Sequence, residues 1–196
     1  MKTFTPKTFT IPELKGISTN AINIHIKLYE GYVKHANLIL EKISEYAKDE
    51  TANAYVLSEL QRRFGFEFGG MKNHEYYFEQ FEGGPNDKID TLKTAIEEEW
   101  GSFDTWRQRF TAIGLTRGIG WAVLSYDKAN DRLINSWLDE QHIGQLNSTD
   151  IILALDMWEH AYLLDYIPAS KKEYIDAFFD NLNWEIAEKR FVEAKK

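Results

Sequence analysis

Cysteine is missing altogether. Its absence excludes disulfides, thiolate nucleophiles, iron–sulfur clusters and cysteine-ligated zinc in one step. Positive charge is in short supply: 23 lysines and arginines face 31 aspartates and glutamates, for a formal net charge of −8. Nucleic-acid binders display a basic face that releases counterions from the phosphate backbone. No such face stands out here, so no nucleic-acid partner is expected. Nor does any segment approach the ~18 consecutive apolar residues that would span a bilayer. The start, "MKTFTPKTFTIPELKG", lacks the charged opening and apolar run of a secretory signal. No membrane partner is expected, and the chain reads as cytoplasmic. Internal repeats and low-complexity tracts are absent as well.

What is there is apolar and aromatic surface, 43% and 14% of 196 residues. That suffices for one sizeable core or two small ones sharing an interface. Pro6, Pro12 and Gly16 resist regular structure and predict an ordered arm laid over the surface. From Ser18 the pattern changes: His25, Leu28, Tyr29, Tyr32, Val33, Ala36, Ile39, Leu40 and Ile43 recur at helical steps behind an N-cap cluster. This predicts a helix to about Lys48. A second helical stretch, roughly Tyr55 to Phe64, leads through Gly69-Gly70 into "KNHEYYFEQF" and completes an antiparallel helical hairpin. "EGGPND" has the turn chemistry of a boundary. Two domains are therefore expected, 1–84 with the arm and hairpin and 85–196 beyond.

In the second part, Ile89 to Trp100 and Phe103 to Ile113 read as helices separated by a Gly101-Ser102 stop and cap. The period then shifts to two. "GWAVLSYD" and "RLINSWLDEQ" flank the hairpin loop "KANDR", and "IILALDM" suits a buried third strand. The ending returns to helical spacing, so the fold class is α+β with a small, mainly antiparallel sheet against helices.

The histidines carry the chemistry. Of five, His25, His74 and His160 lie on apolar, aromatic faces, whereas His35 and His142 flank polar or loop positions. One such histidine is ordinary core. Burying three is costly unless each nitrogen finds a partner, and a metal with one carboxylate satisfies them together. Asp156, ending the apolar run Ile151 to Leu155, is the candidate carboxylate, although a helix N-cap is compatible with the same position. Three imidazoles and one carboxylate suit manganese, iron or zinc and exclude a hard calcium cage.

"LDMWEHAY" resembles the D-x-W-E-H-A-Y signature of the iron/manganese superoxide dismutase family. "KNHEYYF" is similar to that family's N-H-x-x-Y-[WF], "GIGWAVL" to its G-[ST]-G-W, and "YIDAFFDNLNWEIAEKRF" to its closing helix. The resemblance runs from about residue 10 to the end. It implies a helical hairpin followed by a domain with a three-stranded antiparallel sheet. It also implies metal ligands His25, His74, Asp156 and His160, one manganese or iron ion per subunit, and superoxide as substrate. Trp121, Trp158, Tyr77 and Phe78 would wall the site. Glu159 would reach His160 of the partner subunit, so a homodimer is implied.

Departures from the family sharpen the expectations. His25 to Tyr32 spans seven residues rather than eight, so a regular helix is expected where the family needs an inserted residue. Tyr32 is the expected gate and proton relay, with Tyr29 as the alternative. Leu163 stands where the family has a second tyrosine. The residue bonding the metal-bound solvent falls to Gln141 or His142, because Gly70 occupies the other usual source. Gln141 with that glycine resembles manganese-preferring members, and His142 keeps iron-type behaviour open. Lys171 matches a family arginine near the substrate funnel. The rival functions are a non-haem iron oxygenase or hydrolase on the same ligands, and a metal-free helical interaction protein.

Overall fold

The computed structural model describes residues 2–196. Helix α1 (Thr19–Tyr46) begins where the Ser18 hydroxyl accepts the Ala21 N–H at 3.1 Å, one of the donors that a helix start leaves unpaired. Its buried stripe is Ala21, Ile22, His25, Tyr29, Val33, Ala36 and Ile39, at three- and four-residue steps. The helix is regular from His25 to Tyr32, with no inserted residue.

Helix α2 (Glu50–Glu79) starts at an Asp49 cap and runs unbroken for 30 residues. The sequence pattern placed its start near Tyr55 and drew attention to a glycine pair at 69–70. The helix starts earlier, at Glu50, and runs on through the glycine pair. The first turns carry no apolar stripe, since α2 buries no residue before Glu67, and its middle turns carry surface pairs such as Arg62–Glu59 at 2.8 Å and Arg63–Glu67 at 3.0 Å. Gly69 and Gly70 sit inside the helix because other groups approach too closely for a side chain. A Cβ at Gly70 would lie 2.5 Å from the Tyr32 ring.

The N-terminal arm is an ordered strap, as its prolines suggested. Asn37 donates to the Phe4 carbonyl and accepts the Phe4 N–H at 2.9 and 2.8 Å, and Asn181 grips both backbone groups of Lys15 at 2.8 Å. Phe9 packs against Tyr29 and Phe78.

Beyond a turn at 80–86 follow α3 (Thr91–Trp100) and α4 (Phe103–Gly114). Gly101 ends α3 in the left-handed region at φ +84°, and Ser102 caps α4 through the Thr105 N–H. Strands β1 (Gly120–Asp127), β2 (Arg132–Asp139) and β3 (Asp150–Asp156) form one antiparallel sheet in the order β2-β1-β3. β1 is therefore central and nearly all buried, and it registers Trp121 beside Asp156. The link from β2 to β3 must return past β1, which carries residues 140–149 toward α2. A single turn, α5 (Glu159–Tyr162), leads to α6 (Lys171–Asp180) and α7 (Trp184–Ala194), separated at Asn181 to Asn183. The fold is α+β, a long helical hairpin followed by helices on a three-stranded antiparallel sheet. No helix among the described residues is long and apolar enough to cross a membrane.

Candidate metal centre

Four elements converge on one buried point. α1 contributes His25, α2 contributes His74, the end of β3 contributes Asp156, and α5 contributes His160. One ligand-type atom from each lies within 4.8 Å of all the others, the scale set by two opposed bonds of about 2.1 Å to a first-row ion. Asp156 Oδ2 is 3.1 Å from His25 Nε2, 3.2 Å from His160 Nε2 and 3.5 Å from His74 Nε2. Asp156 does not cap a helix. It closes β3, and its other oxygen accepts the Trp158 N–H at 2.8 Å, which holds the carboxylate while the chain turns into α5.

His74 decides what this cluster is for. Its Nδ1 lies 2.6 Å from the Gly70 carbonyl. A carbonyl only accepts, so Nδ1 carries the proton and Nε2 presents a lone pair. That Nε2 is buried and has no hydrogen-bond partner. An orphan of this kind costs about 1–3 kcal/mol in a core. A cation seated among the four groups removes the penalty. The second-nitrogen bond to a carbonyl is also the usual way a ligating imidazole is oriented. Three imidazoles and a carboxylate thus fit a manganese or iron ion.

The electrostatics agree. Burial drives the His74 imidazole down to about 3, helped by the neighbouring His25, and burial likewise lowers His25. Both are neutral donors at physiological pH. Burial alone would raise the Asp156 carboxyl, but the adjoining His160 and His25 outweigh it and hold it well below the ordinary range. The carboxylate stays ionised.

Aromatic rings enclose the group. Tyr77 and Phe78 pack on His25 at centroid distances of 5.1 and 4.9 Å, Trp121 meets His74 edge-on at 5.0 Å, and Trp158 stacks on His160 at 5.6 Å. Gln141 is fully buried beside them. Its Oε1 accepts the Trp121 indole N–H at 2.9 Å and its Nε2 donates to the Tyr32 hydroxyl at 2.9 Å. Tyr32 lies 5.0 Å from the His74 ring.

The other sequence candidates lie elsewhere. Tyr29 is under the N-terminal strap, where its hydroxyl accepts the Lys7 N–H at 2.8 Å. The His142 ring lies over Gly65 and packs edge-on against Phe66. The Lys171 ammonium sits over the Tyr162 ring at 5.6 Å. Sequence reasoning passed over two contributors. Tyr174 donates to the Asp156 carbonyl at 2.9 Å, and Asn73 donates to the Gln141 carbonyl at 3.0 Å. The adjacency of Asn73 to His74 was the only signal for either.

The comparisons agree with this geometry. The family model described as iron/manganese superoxide dismutases, C-terminal domain, matches residues 88–190. An iron superoxide dismutase of Cupriavidus metallidurans is 38% identical over 186 residues, covering 93% of this chain and 92% of the relative. The corresponding iron protein of Aquifex aeolicus is 34% identical over 97% of this chain and 92% of its own length. A manganese superoxide dismutase of Mycolicibacterium fortuitum is 35% identical over 87% of this chain and 82% of its own length. With three clustered imidazoles and one carboxylate at the positions its signature motifs occupy, the chain belongs to the iron/manganese superoxide dismutase family.

Proposed function

We propose that this protein converts superoxide to dioxygen and hydrogen peroxide at one manganese or iron ion held by His25, His74, Asp156 and His160. The observation that carries the reading is the buried, unpaired His74 Nε2, gathered with the His25 and His160 imidazoles around the Asp156 carboxylate. When bound, the ion alternates between two oxidation states, so that one superoxide gives up an electron and a second gains one together with two protons.

The chain's own groups handle the protons. Tyr32 receives a hydrogen bond from Gln141, which leaves its own hydroxyl proton free for the departing product. Burial, followed by the Asp156 charge, pushes the Tyr32 hydroxyl well above its ordinary value of 10, so it remains protonated and able to donate. Gln141 is fixed at both ends of its amide, by Trp121 and Tyr32, and is thereby aimed as a rigid donor toward metal-bound solvent. We assign the relay to Tyr32 and Gln141, with His142 as the residue behind Gln141 that affects it indirectly. Gln141 together with Gly70 favours manganese over iron.

The homodimer reading has its own support. His160 uses Nε2 inward and remains one-fifth exposed on its other side, next to the exposed Glu159. Around them Ile24, Leu28, Leu163, Leu164 and Ile167 leave apolar surface uncovered. A second copy would cover it and let Glu159 orient His160 of the partner subunit. We further propose two domains, 1–84 and 85–196, with the metal between them and two of its proposed ligands from each.

Loading the apoprotein separately with manganese and iron, and assaying each for superoxide removal, tests the function and the preference together. Activity with neither metal at one ion per chain would refute it. A metal-free interaction protein would also fail to hold stoichiometric metal, whereas an oxygenase or hydrolase would hold it without removing superoxide.

A further inference from the structure

The turn that bears Gln141 is gripped from the ligand-bearing segments themselves. Asn73, immediately before His74 and 3% exposed, donates its amide to the Gln141 main-chain carbonyl at 3.0 Å. Trp158, between Asp156 and His160, donates its indole N–H to the preceding carbonyl, that of Glu140, at 3.0 Å. Glu140 itself is held at φ +53°, a left-handed conformation that a residue with a side chain adopts at a cost. The closest approach is at Gly69, one helical turn before Asn73. A Cβ there would stand 2.2 Å from the Gln141 carbonyl oxygen, a contact that only displacement of the turn could relieve.

The Gly69 and Asn73 contacts fall on one group, the Gln141 carbonyl, and the Trp158 bond holds the carbonyl before it. Gly69 lets the turn come down onto α2, and Asn73 holds it there. The Gln141 side chain, 0% exposed, then has no freedom to choose its reach, because its two amide ends are taken by Trp121 and Tyr32. We propose that Gly69 and Asn73 form a seat that sets how closely the Gln141 amide approaches the metal site, and that this seat is a determinant of which metal supports activity. They are positioning residues, acting through Gln141. The proposal rests on the reading of Gln141 as the residue that tunes the metal.

The test uses full-length protein loaded with manganese or with iron, and measures metal content, midpoint potential by redox titration, and the ratio of manganese- to iron-supported activity. Variants are Asn73→Leu, Gly69→Ala and Gln141→Leu, and the first two combined with the third. The expected result is one ion per chain throughout. Asn73→Leu and Gly69→Ala should each shift the potential in the direction of Gln141→Leu and change the activity ratio by about tenfold, the lower end of the range for groups that orient a ligand shell. Neither should add a further shift in the Gln141→Leu background. If Gln141→Leu moves the potential and both seat variants leave it in place, the seat is overturned and the reading of Gln141 stands. Equal shifts with and without Gln141 overturn the seat as well. If Gln141→Leu moves nothing, the tuning role fails and the seat falls with it. Should Gly69→Ala not fold, Asn73→Leu decides alone, with Asn73→Ser, which shortens the donor, as its milder counterpart.

Discussion

Gln80 meets the backbone of Ala154 twice: its side-chain amide donates to the carbonyl and its oxygen accepts the N–H, both at 2.8 Å. β3 is an edge strand, so these groups face away from β1 and would otherwise be buried without partners. One side chain, six residues beyond His74 on the same stretch of chain, thus completes the strand that delivers Asp156 two residues later. Gln80→Leu orphans one buried donor and one acceptor, at about 1–3 kcal/mol each. Urea unfolding of the metal-free protein should show a loss of about 2–6 kcal/mol, and an unchanged midpoint would show that water replaces the amide.

The acid side of the stability profile should owe part of its slope to Glu79. Burial raises this carboxyl, but the Lys7 ammonium at 2.6 Å and the Arg190 guanidinium at 2.8 Å more than reverse that and lower it. A carboxyl lowered on folding binds its proton more tightly in the unfolded chain. Its contribution is therefore complete above the ordinary value of 4.5 and disappears as pH falls through the folded value. Glu79→Gln should flatten the decline in urea midpoint below about pH 4.5 relative to the parent. Identical slopes would remove Glu79 from the account.

Removing the metal should cost stability and removing a donor should abolish the difference. With free metal at a hundredfold over its dissociation constant, binding adds about 2.7 kcal/mol to the folded state. Thermal unfolding of the parent should rise with added manganese, while Asp156→Ala and His74→Ala should show no metal-dependent shift and no superoxide removal. The His74→Ala apoprotein should fold at least as well as the parent's, since it no longer buries an unpaired nitrogen.

Tyr32→Phe separates proton delivery from site construction. The ring, packed on Gly70 and 5.0 Å from His74, is retained, and only the hydroxyl that accepts from Gln141 is lost. Metal content should be unchanged and turnover at saturating superoxide should fall about tenfold, below the ordinary range for a general acid because water can stand in. In the parent, the raised hydroxyl keeps its proton past the ordinary tyrosine value of 10, so an alkaline loss of activity traceable to Tyr32 should begin above that pH and be absent from the variant.

The residues of the candidate metal cluster were legible because imidazoles on apolar faces demand a partner: His25, His74 and His160 stood out against aromatic neighbours, and Asp156 against an apolar run. β1 and β2 showed the period of two, β3 stood out as a short apolar run, and Ser18 and Gly101-Ser102 marked real helix ends. The first turn of α2 was hidden, since the helix buries no residue before Glu67 and its start therefore carries no apolar stripe. Why Gly69 and Gly70 are glycines was hidden as well. Glycine inside a helix costs only about 1 kcal/mol, and the demand for close approach by Gln141 and Tyr32 comes from parts of the chain 72 residues away and 38 away. Gln80, Asn73 and Tyr174 act on main-chain carbonyls, and no side-chain pattern announces which carbonyl will lie beside them.

Gly31 gives the opposite case, a glycine that nothing in the fold requires. It lies inside α1, carries no positive φ, and a Cβ added there would meet no atom within 4 Å. The folded state therefore tolerates alanine without rearrangement, while the unfolded chain loses freedom that glycine alone enjoys. Gly31→Ala should stabilise the protein by about 0.5–1 kcal/mol in urea unfolding. Its neighbour Tyr32 points to the site, so activity is the discriminating measurement. Unchanged turnover with raised stability means that α1 is a rigid platform for the relay. Raised stability with reduced turnover means that the glycine supplies motion the gate needs, and the hydrogen bond from Gln141 to Tyr32 must then break during each cycle.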